Sequence, residues 1–146
     1  MPTVEEKKTA RIERVFDANP ARVFEAWTNP EQIAQWWGCE QTVNTNATLD
    51  LQVGGELRFE MKGEGGQEHL ITGKFIRINK PSELSFSMCF HGSDGTAMES
   101  QVSVSFVAQD PGQTRLILVH ENLVGEMAEQ VDSGWGTAFD KLAKFL

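Results

Sequence analysis

The chain has no tyrosine, and its only two cysteines, Cys39 and Cys89, lie fifty positions apart. The absence of tyrosine excludes a phenolic side chain as an acid or base. The cysteines form no CxxC or other metal-binding pattern, so we expect two free thiols. We expect both cysteines to be small buried apolar side chains rather than catalytic thiols.

Long apolar runs and clusters of positive charge are also missing. No stretch of about 18 apolar residues occurs, and the N-terminal MPTVEEKKTA is too polar for a signal peptide, so we expect a cytoplasmic protein. The 13 Lys and Arg residues are outnumbered by 21 Asp and Glu, which gives a formal net charge of -8. This charge excludes nucleic acid and anionic membranes as expected partners.

Motifs that would hold a metal or a cofactor are missing as well. His69, His91 and His120 show neither H-x-H nor HExxH spacing. The sequence has no GxSxG elbow and no P-loop, and the GEGGQ segment lies in an expected hairpin without the following helix that phosphate binding requires. We therefore predict no metal site and no cofactor.

The C-terminal stretch, residues 125–146, carries the clearest pattern in the chain. Its apolar residues recur every three or four positions, which predicts an amphipathic helix lying on a sheet. They are Ala128, Val131, Trp135, Ala138, Phe139, Leu142 and Leu146. Gly134 and Gly136 interrupt this helix at a cost of about 1 kcal/mol each. Close approach to the sheet is the favoured explanation, and space left for a guest molecule is the alternative.

The N-terminal part predicts one strand followed by two short helices. Residues 9–16 form the strand, with Ile12 and Phe16 on one face. Each helix opens with an Asn-Pro pair, at Asn19 and at Asn29. Gln32 occupies the third position of a capping box, and Gly38 is expected to end the second helix.

After the polar segment QTVNTN, the sequence predicts six strands joined by hairpins. The first is ATLDLQV, ended by Gly54 and Gly55, and the others are ELRFEMK, HLITGKFIRI, ELSFSMCF, MESQVSVSFVAQ and TRLILVHE. Short connections favour an antiparallel meander. The expected order is therefore β, α, α, six β, α, in one α+β domain over residues 9–146 that follows a flexible tail, 1–8.

An ordered series of segments resembles a known family. VFDANPARVFEAWTNPEQIAQWWG, DLQVGGELRFEMKG and SGWGTAFDKLAKFL are similar to bacterial proteins related to the C-terminal domain of the activator of Hsp90 ATPase. These belong to the START-like or Bet v 1-like superfamily. The resemblance implies a helix-grip fold, in which a curved antiparallel sheet wraps around the C-terminal helix and an apolar cavity lies between them. Cys39 stands where relatives often carry proline, which implies a less rigid loop.

The aromatic and other apolar side chains are the first candidates for a functional site. They form either a solid core or, as the resemblance implies, the lining of a pocket for an apolar guest. The predicted ligand-binding residues are Trp27, Trp36, Trp37, Phe59, Phe75, Phe86, Met88, Trp135 and Phe139.

Polar candidates for catalysis are fewer. His120 and Glu121 end the last strand, and Arg58 alternates with Glu60 along an earlier one. Such groups act as acid or base only in a dry pocket. For Arg58 and Glu60 a solvated outer face is the favoured interpretation.

Three functions remain open at this point. The favoured one is the binding of a small hydrophobic or aromatic ligand between the sheet and the C-terminal helix. The second is a cyclase-like or hydrolase-like reaction in the same cavity. The third is a chaperone-interaction module like the eukaryotic relative. It is ranked last because that relative needs an additional N-terminal domain, which we do not expect in this chain. The sequence leaves open whether the protein is a homodimer.

Overall fold

A computed structural model describes residues 8–37, 42–66, 68–91, 97–109, 112–123 and 125–146, without the side chains of 42–43, 97–98, 125–130 and 132–133. In chain order its elements are β1 (Lys8–Phe16), α1 (Pro20–Thr28), α2 (Pro30–Trp36), β2 (Thr42–Leu49), β3 (Glu56–Gly63), β4 (Glu68–Asn79), β5 (Glu83–His91), β6 (Ala97–Gln109), β7 (Gln113–Leu123) and α3 (Gly125–Phe145).

The strands form one antiparallel sheet with the spatial order β1-β7-β6-β5-β4-β3-β2. Strands β2 to β7 follow one another as the predicted meander, and β1 pairs with β7, so that Ile12 lies opposite Leu118. The curved sheet and the long C-terminal helix together confirm the α+β helix-grip fold.

Alternating side chains give the sheet an inner and an outer face. In β3, Leu57, Phe59 and Met61 are buried, whereas the residues between them are exposed. This period of two matches the alternation of the sequence, because successive side chains of a strand point to opposite faces. The inner face packs against the helices, and the outer face meets solvent.

Helices α1 and α2 begin where the two Asn-Pro pairs predict. The side chain of Asn19 accepts a hydrogen bond from the backbone N–H of Arg22, and Asn29 accepts from Glu31 and Gln32. Only half of the expected capping box forms, because the backbone N–H of Asn29 donates to the carbonyl oxygen of Glu25 and not to Gln32. Gln32 instead accepts from Arg22 at 2.6 Å and donates to Glu25 at 2.8 Å, so it ties α2 to α1.

Helix α2 ends at Trp36, with Trp37 as its C-cap. The predicted stop at Gly38 and the loop at Cys39 lie outside the described residues, as does most of the predicted tail. Trp36 and Trp37 are both buried, as their spacing from Ile33 predicts.

Strand β2 begins earlier than the sequence predicts. The strand is residues 42–49 rather than 47–53, and Leu51 and Val53 are exposed. The polar QTVNTN segment concealed it. Thr45 faces the core and Asn44 is exposed to solvent, because successive side chains of a strand point to opposite faces. Polar residues on the outward face are compatible with an antiparallel edge strand such as β2.

Helix α3 lies on the inner face, as its apolar stripe predicts. Its buried residues include Trp135, Phe139 and Leu142. Phe139 meets Phe16 of β1 edge to face, with ring centroids 5.8 Å apart. The helix therefore covers the core from the side opposite the solvent-exposed face of the sheet.

Candidate functional site

The buried aromatic residues form one continuous group beneath α3. All nine predicted ligand-binding side chains are at most 9% exposed and belong to the same core. Trp27 is at its centre and contacts rings from both sides, namely those of Trp36, Trp37, Phe86, Phe106, Trp135 and Phe139. The structure thus brings these residues together, and their contact with a ligand stays a prediction.

Each layer of the fold contributes rings to this group. Trp37 stacks on Phe59 of β3 with centroids 4.1 Å apart and planes 8° from parallel. Trp27 of α1 stacks on Trp135 of α3 at 5.9 Å. Tryptophans from all three helices therefore meet over the inner face of the sheet, and such ring pairs stabilise the arrangement beyond their buried area.

The two glycines of α3 are not explained by close packing. A Cβ added to Gly134 or to Gly136 would meet no described atom within 4 Å outside the helix backbone. The favoured interpretation of a close approach to the sheet is therefore wrong. At 100° per residue, Gly134 lies about 40° from the direction of the buried Ala138, just outside the buried stripe of the helix. The helix thus leaves out a side chain at the margin of its buried stripe.

His120 lies inside the core, where it links the sheet to α3. Its side chain is 3% exposed. The Nε1–H of Trp135 donates to Nδ1 of His120 at 3.1 Å, and Nε2 of His120 lies 2.7 Å from the hydroxyl of Ser100 on β6. Both ring nitrogens of the histidine are therefore engaged.

The bond from Trp135 determines which nitrogen of the histidine carries the proton. An indole N–H only donates, so Nδ1 must accept and the proton of the neutral ring is on Nε2. Nε2–H then donates to the Ser100 oxygen. Desolvation by burial lowers the pKa of His120 from 6.5 to about 4, which keeps the ring neutral at pH 7.

This geometry argues against a serine nucleophile activated by His120. A general base must accept the hydroxyl proton, whereas Nε2 already carries a proton and points it at Ser100. The low pKa makes the ring a weak base as well. The arrangement instead fixes the orientation of the Trp135 ring.

The other polar candidates are not near His120. Glu121 follows it on β7 and, by the alternation of the strand, points to the opposite face. Arg58 lies on the outer face, where it forms an exposed ion pair with Glu60 at 2.9 Å. The structure therefore does not assemble His120, Glu121 and Arg58 into one site.

A polar groove on the outer face was not predicted from the sequence. It has a volume of about 520 Å³, and Asn44, Asn46, Arg58, Glu60 and His91 are among its lining residues. They come from neighbouring strands and share a face because of the strand register. The alternation of β3 indicates that Arg58 and Glu60 share the outer face. Asn44 and Asn46 could not be added to them, because the sequence predicts that β2 begins only at Ala47.

Within the described ranges, no group of three or more His, Cys, Asp or Glu side chains is placed to hold a metal ion. Cys89 is a free, half-buried thiol, whereas Cys39 lies outside these ranges. No helix in the described part of the chain is long and apolar enough to cross a membrane.

Solved structures of similar proteins share this architecture. A protein from Rhizobium leguminosarum is 26% identical, with a TM-score of 0.82 over 97% of this chain and 95% of its own. The AHSA1 protein from Silicibacter pomeroyi is 28% identical, with a TM-score of 0.80 over 94% of this chain and 96% of its own. A protein from Chromobacterium violaceum, 23% identical with a TM-score of 0.80 over 95% and 97%, supports the fold alone.

No curated protein matches the chain. The family model described as Activator of Hsp90 ATPase homolog 1-like protein matches residues 17–146, which include both short helices, β2 to β7 and α3. The chain therefore belongs to the family of Activator of Hsp90 ATPase homolog 1-like proteins.

Proposed function

We propose that this protein binds a small apolar or aromatic molecule between the inner face of the sheet and α3. The observation that carries the proposal is the group of buried rings beneath α3, together with the half-buried Gly134, at which an added Cβ would meet no described atom within 4 Å outside the helix backbone. A helical glycine costs about 1 kcal/mol relative to alanine, and no close contact at Gly134 offsets that cost. A guest molecule beside Trp135 would use the room that a larger side chain at position 134 would fill, which explains the glycine.

The chemistry of the surrounding side chains supports an apolar guest. Trp27, Trp37, Phe86 and Phe139 all lie within ring contact of Trp135 or of one another. Apolar lining with few polar groups is typical of small-molecule sites in proteins. His120 is neutral at pH 7, because burial lowers its pKa to about 4, so it adds no charge to this region.

Gly134→Leu provides the direct test. We expect the larger side chain to occupy the space and to abolish binding of the neutral fluorescent probe N-phenyl-1-naphthylamine, measured by titration. The melting temperature should stay the same or rise, because Leu is a better helix former than Gly. Gly136→Leu is the matched control. Gly136 lies next to the exposed Asp140 on the helix surface, so this variant should bind the probe as the wild type does.

Two results would contradict the proposal. Probe binding by Gly134→Leu with wild-type affinity would place the guest elsewhere. Failure of the wild-type protein to bind the probe, together with a loss of about 1 to 3 kcal/mol in Gly134→Leu, would mean an overpacked solid core. The function would then have to be sought on the outer surface.

An interaction with a chaperone is the alternative that the family description favours. It is tested by adding the purified protein to an Hsp90-type ATPase and measuring the rate of ATP hydrolysis. Stimulation that Gly134→Leu retains would assign the function to the surface rather than to the space beside Trp135.

A further inference from the structure

The indole N–H of Trp27 is a buried donor without an acceptor. Its side chain is 1% exposed, and Nε1 has no hydrogen-bond partner within the described structure. Two other tryptophans of the core differ in this respect. Trp36 donates to the carbonyl oxygen of Ala26 at 3.0 Å, and Trp135 donates to His120 at 3.1 Å. Burial of a donor without an acceptor costs its full desolvation, so such groups are rare.

Packing alone does not require this N–H. The Trp27 ring is held by aromatic neighbours, which contact its rings and not its N–H group. The indole differs from a phenyl ring in its size, which packing can use, and in its N–H, which packing does not use. A buried donor therefore points to an acceptor that the protein itself does not supply.

A second donor lies nearby. The described contacts of the Ser100 side chain include a single hydrogen bond, the one with His120. Because Nε2–H of His120 donates to the Ser100 oxygen, the hydroxyl hydrogen of Ser100 is left to donate elsewhere. Trp27 stacks on Trp135, and Ser100 is hydrogen-bonded to His120, which in turn accepts the N–H of Trp135. Both donors therefore belong to the surroundings of the Trp135 ring.

We propose that the ligand is a neutral, mostly hydrocarbon molecule with a carbonyl oxygen, and that this oxygen accepts the N–H of Trp27. This inference rests on the proposed function. The described side chains in contact with Trp27, Ser100 and Trp135 offer donors and no charge, which selects a ketone, ester or quinone over a carboxylate or an amine. A carboxylate would need a cation, and an amine would need an acceptor.

The experiment compares two probes of nearly the same shape, α-tetralone, which has a carbonyl, and tetralin, which does not. The protein has four tryptophans, so a proton–nitrogen correlation spectrum of the labelled protein shows up to four indole signals. The signal of Trp27 is the one missing in Trp27→Phe. We expect tetralone to move this proton downfield, whereas tetralin should leave the proton without such a hydrogen-bond shift.

Affinities measured by calorimetry provide the second readout. The ratio of tetralone to tetralin affinity should fall about threefold to tenfold in Trp27→Phe, which is the range of one ordinary hydrogen bond. Affinity for tetralin itself should change less, because the substitution keeps an aromatic ring. If Trp27→Phe does not fold, the Trp27 signal is assigned from nuclear Overhauser contacts to the rings of Phe86 and Phe106, and its shift in the wild type decides.

The outcomes separate this inference from the proposed function. If neither probe binds the wild-type protein and N-phenyl-1-naphthylamine does not bind it either, both fail; if the naphthylamine alone binds, only the carbonyl inference fails. If both bind but the Trp27 proton does not move downfield with tetralone, apolar binding stands and the carbonyl inference is overturned. That result would mean that another acceptor, such as an internal water molecule, already satisfies Trp27.

Discussion

At the scale of single residues, His120 couples protonation to stability. Its pKa is lowered from 6.5 to about 4 by burial, and its partners Ser100 and Trp135 are neutral. The unfolded chain therefore binds a proton at a higher pH than the folded chain. We expect stability to fall as the pH drops from about 6.5 to about 4 and to change no further below it on account of this residue. The loss amounts to about 3 kcal/mol.

This prediction is checked by chemical denaturation at several pH values in wild type and in His120→Gln. Gln can accept from Trp135 and donate to Ser100, yet it does not titrate. The free energy of unfolding of the wild type should therefore fall by about 3 kcal/mol relative to that of the variant as the pH drops from about 6.5 to about 4. Outside that range the difference between the two proteins should be constant. A constant difference across that range would mean that His120 is not held neutral by the fold.

The bonds of His120 could not be predicted from the sequence. The sequence places the histidine on a largely apolar strand, but its partners Ser100 and Trp135 are 20 and 15 positions away along the chain. Their meeting depends on the register of β6 and β7 and on the rotation of α3. The unpaired N–H of Trp27 could not be predicted either, because a pattern of apolar residues does not indicate which polar atoms find a partner.

At the scale of elements, Gly136 weakens α3 without serving its packing. An added Cβ would meet no described atom within 4 Å outside the helix backbone, so Gly136→Ala should gain about 1 kcal/mol in free energy of unfolding from helix propensity. The gain is measured by denaturant titration. Gly73→Ala is the contrasting variant, because its Cβ would collide with the backbone oxygen of Ser87 on the neighbouring strand. A loss of stability in Gly136→Ala would show that the helix surface there is occupied.

The helices were easier to predict than the edge strand, for a physical reason. Asn19 and Asn29 act through local bonds to the next turn, so their effect is visible in a few consecutive residues. Strand β2 has only one neighbour and exposes Asn44, so its polar sequence resembled a loop. For the same reason the outer groove, which includes this asparagine, was missed.

At the scale of the whole molecule, one sheet face carries the core, and α3 covers it together with α1 and α2. The family resemblance named the fold, and the alternation of the strands independently indicated which side chains point inward. The structure adds two details, namely that an added Cβ at Gly134 would meet no described atom within 4 Å outside the helix backbone and that the N–H of Trp27 has no described acceptor. Stability and the proposed binding site therefore depend on the same helix.

This dependence leads to the last prediction. A chain ending at residue 124 lacks α3, exposes the inner sheet face and should not melt cooperatively, because a sheet needs a second layer to bury its apolar side. A matched pair of point variants tests the same idea in the full chain. Leu142 is fully buried and Ala143 is exposed, although they are neighbours. Leu142→Asp should abolish cooperative thermal unfolding, since it buries an unpaired charge, whereas Ala143→Asp should change stability by no more than about 1 kcal/mol. A soluble fragment 1–124 with a sharp melt, or equal effects of the two variants, would mean that the sheet folds without its helix.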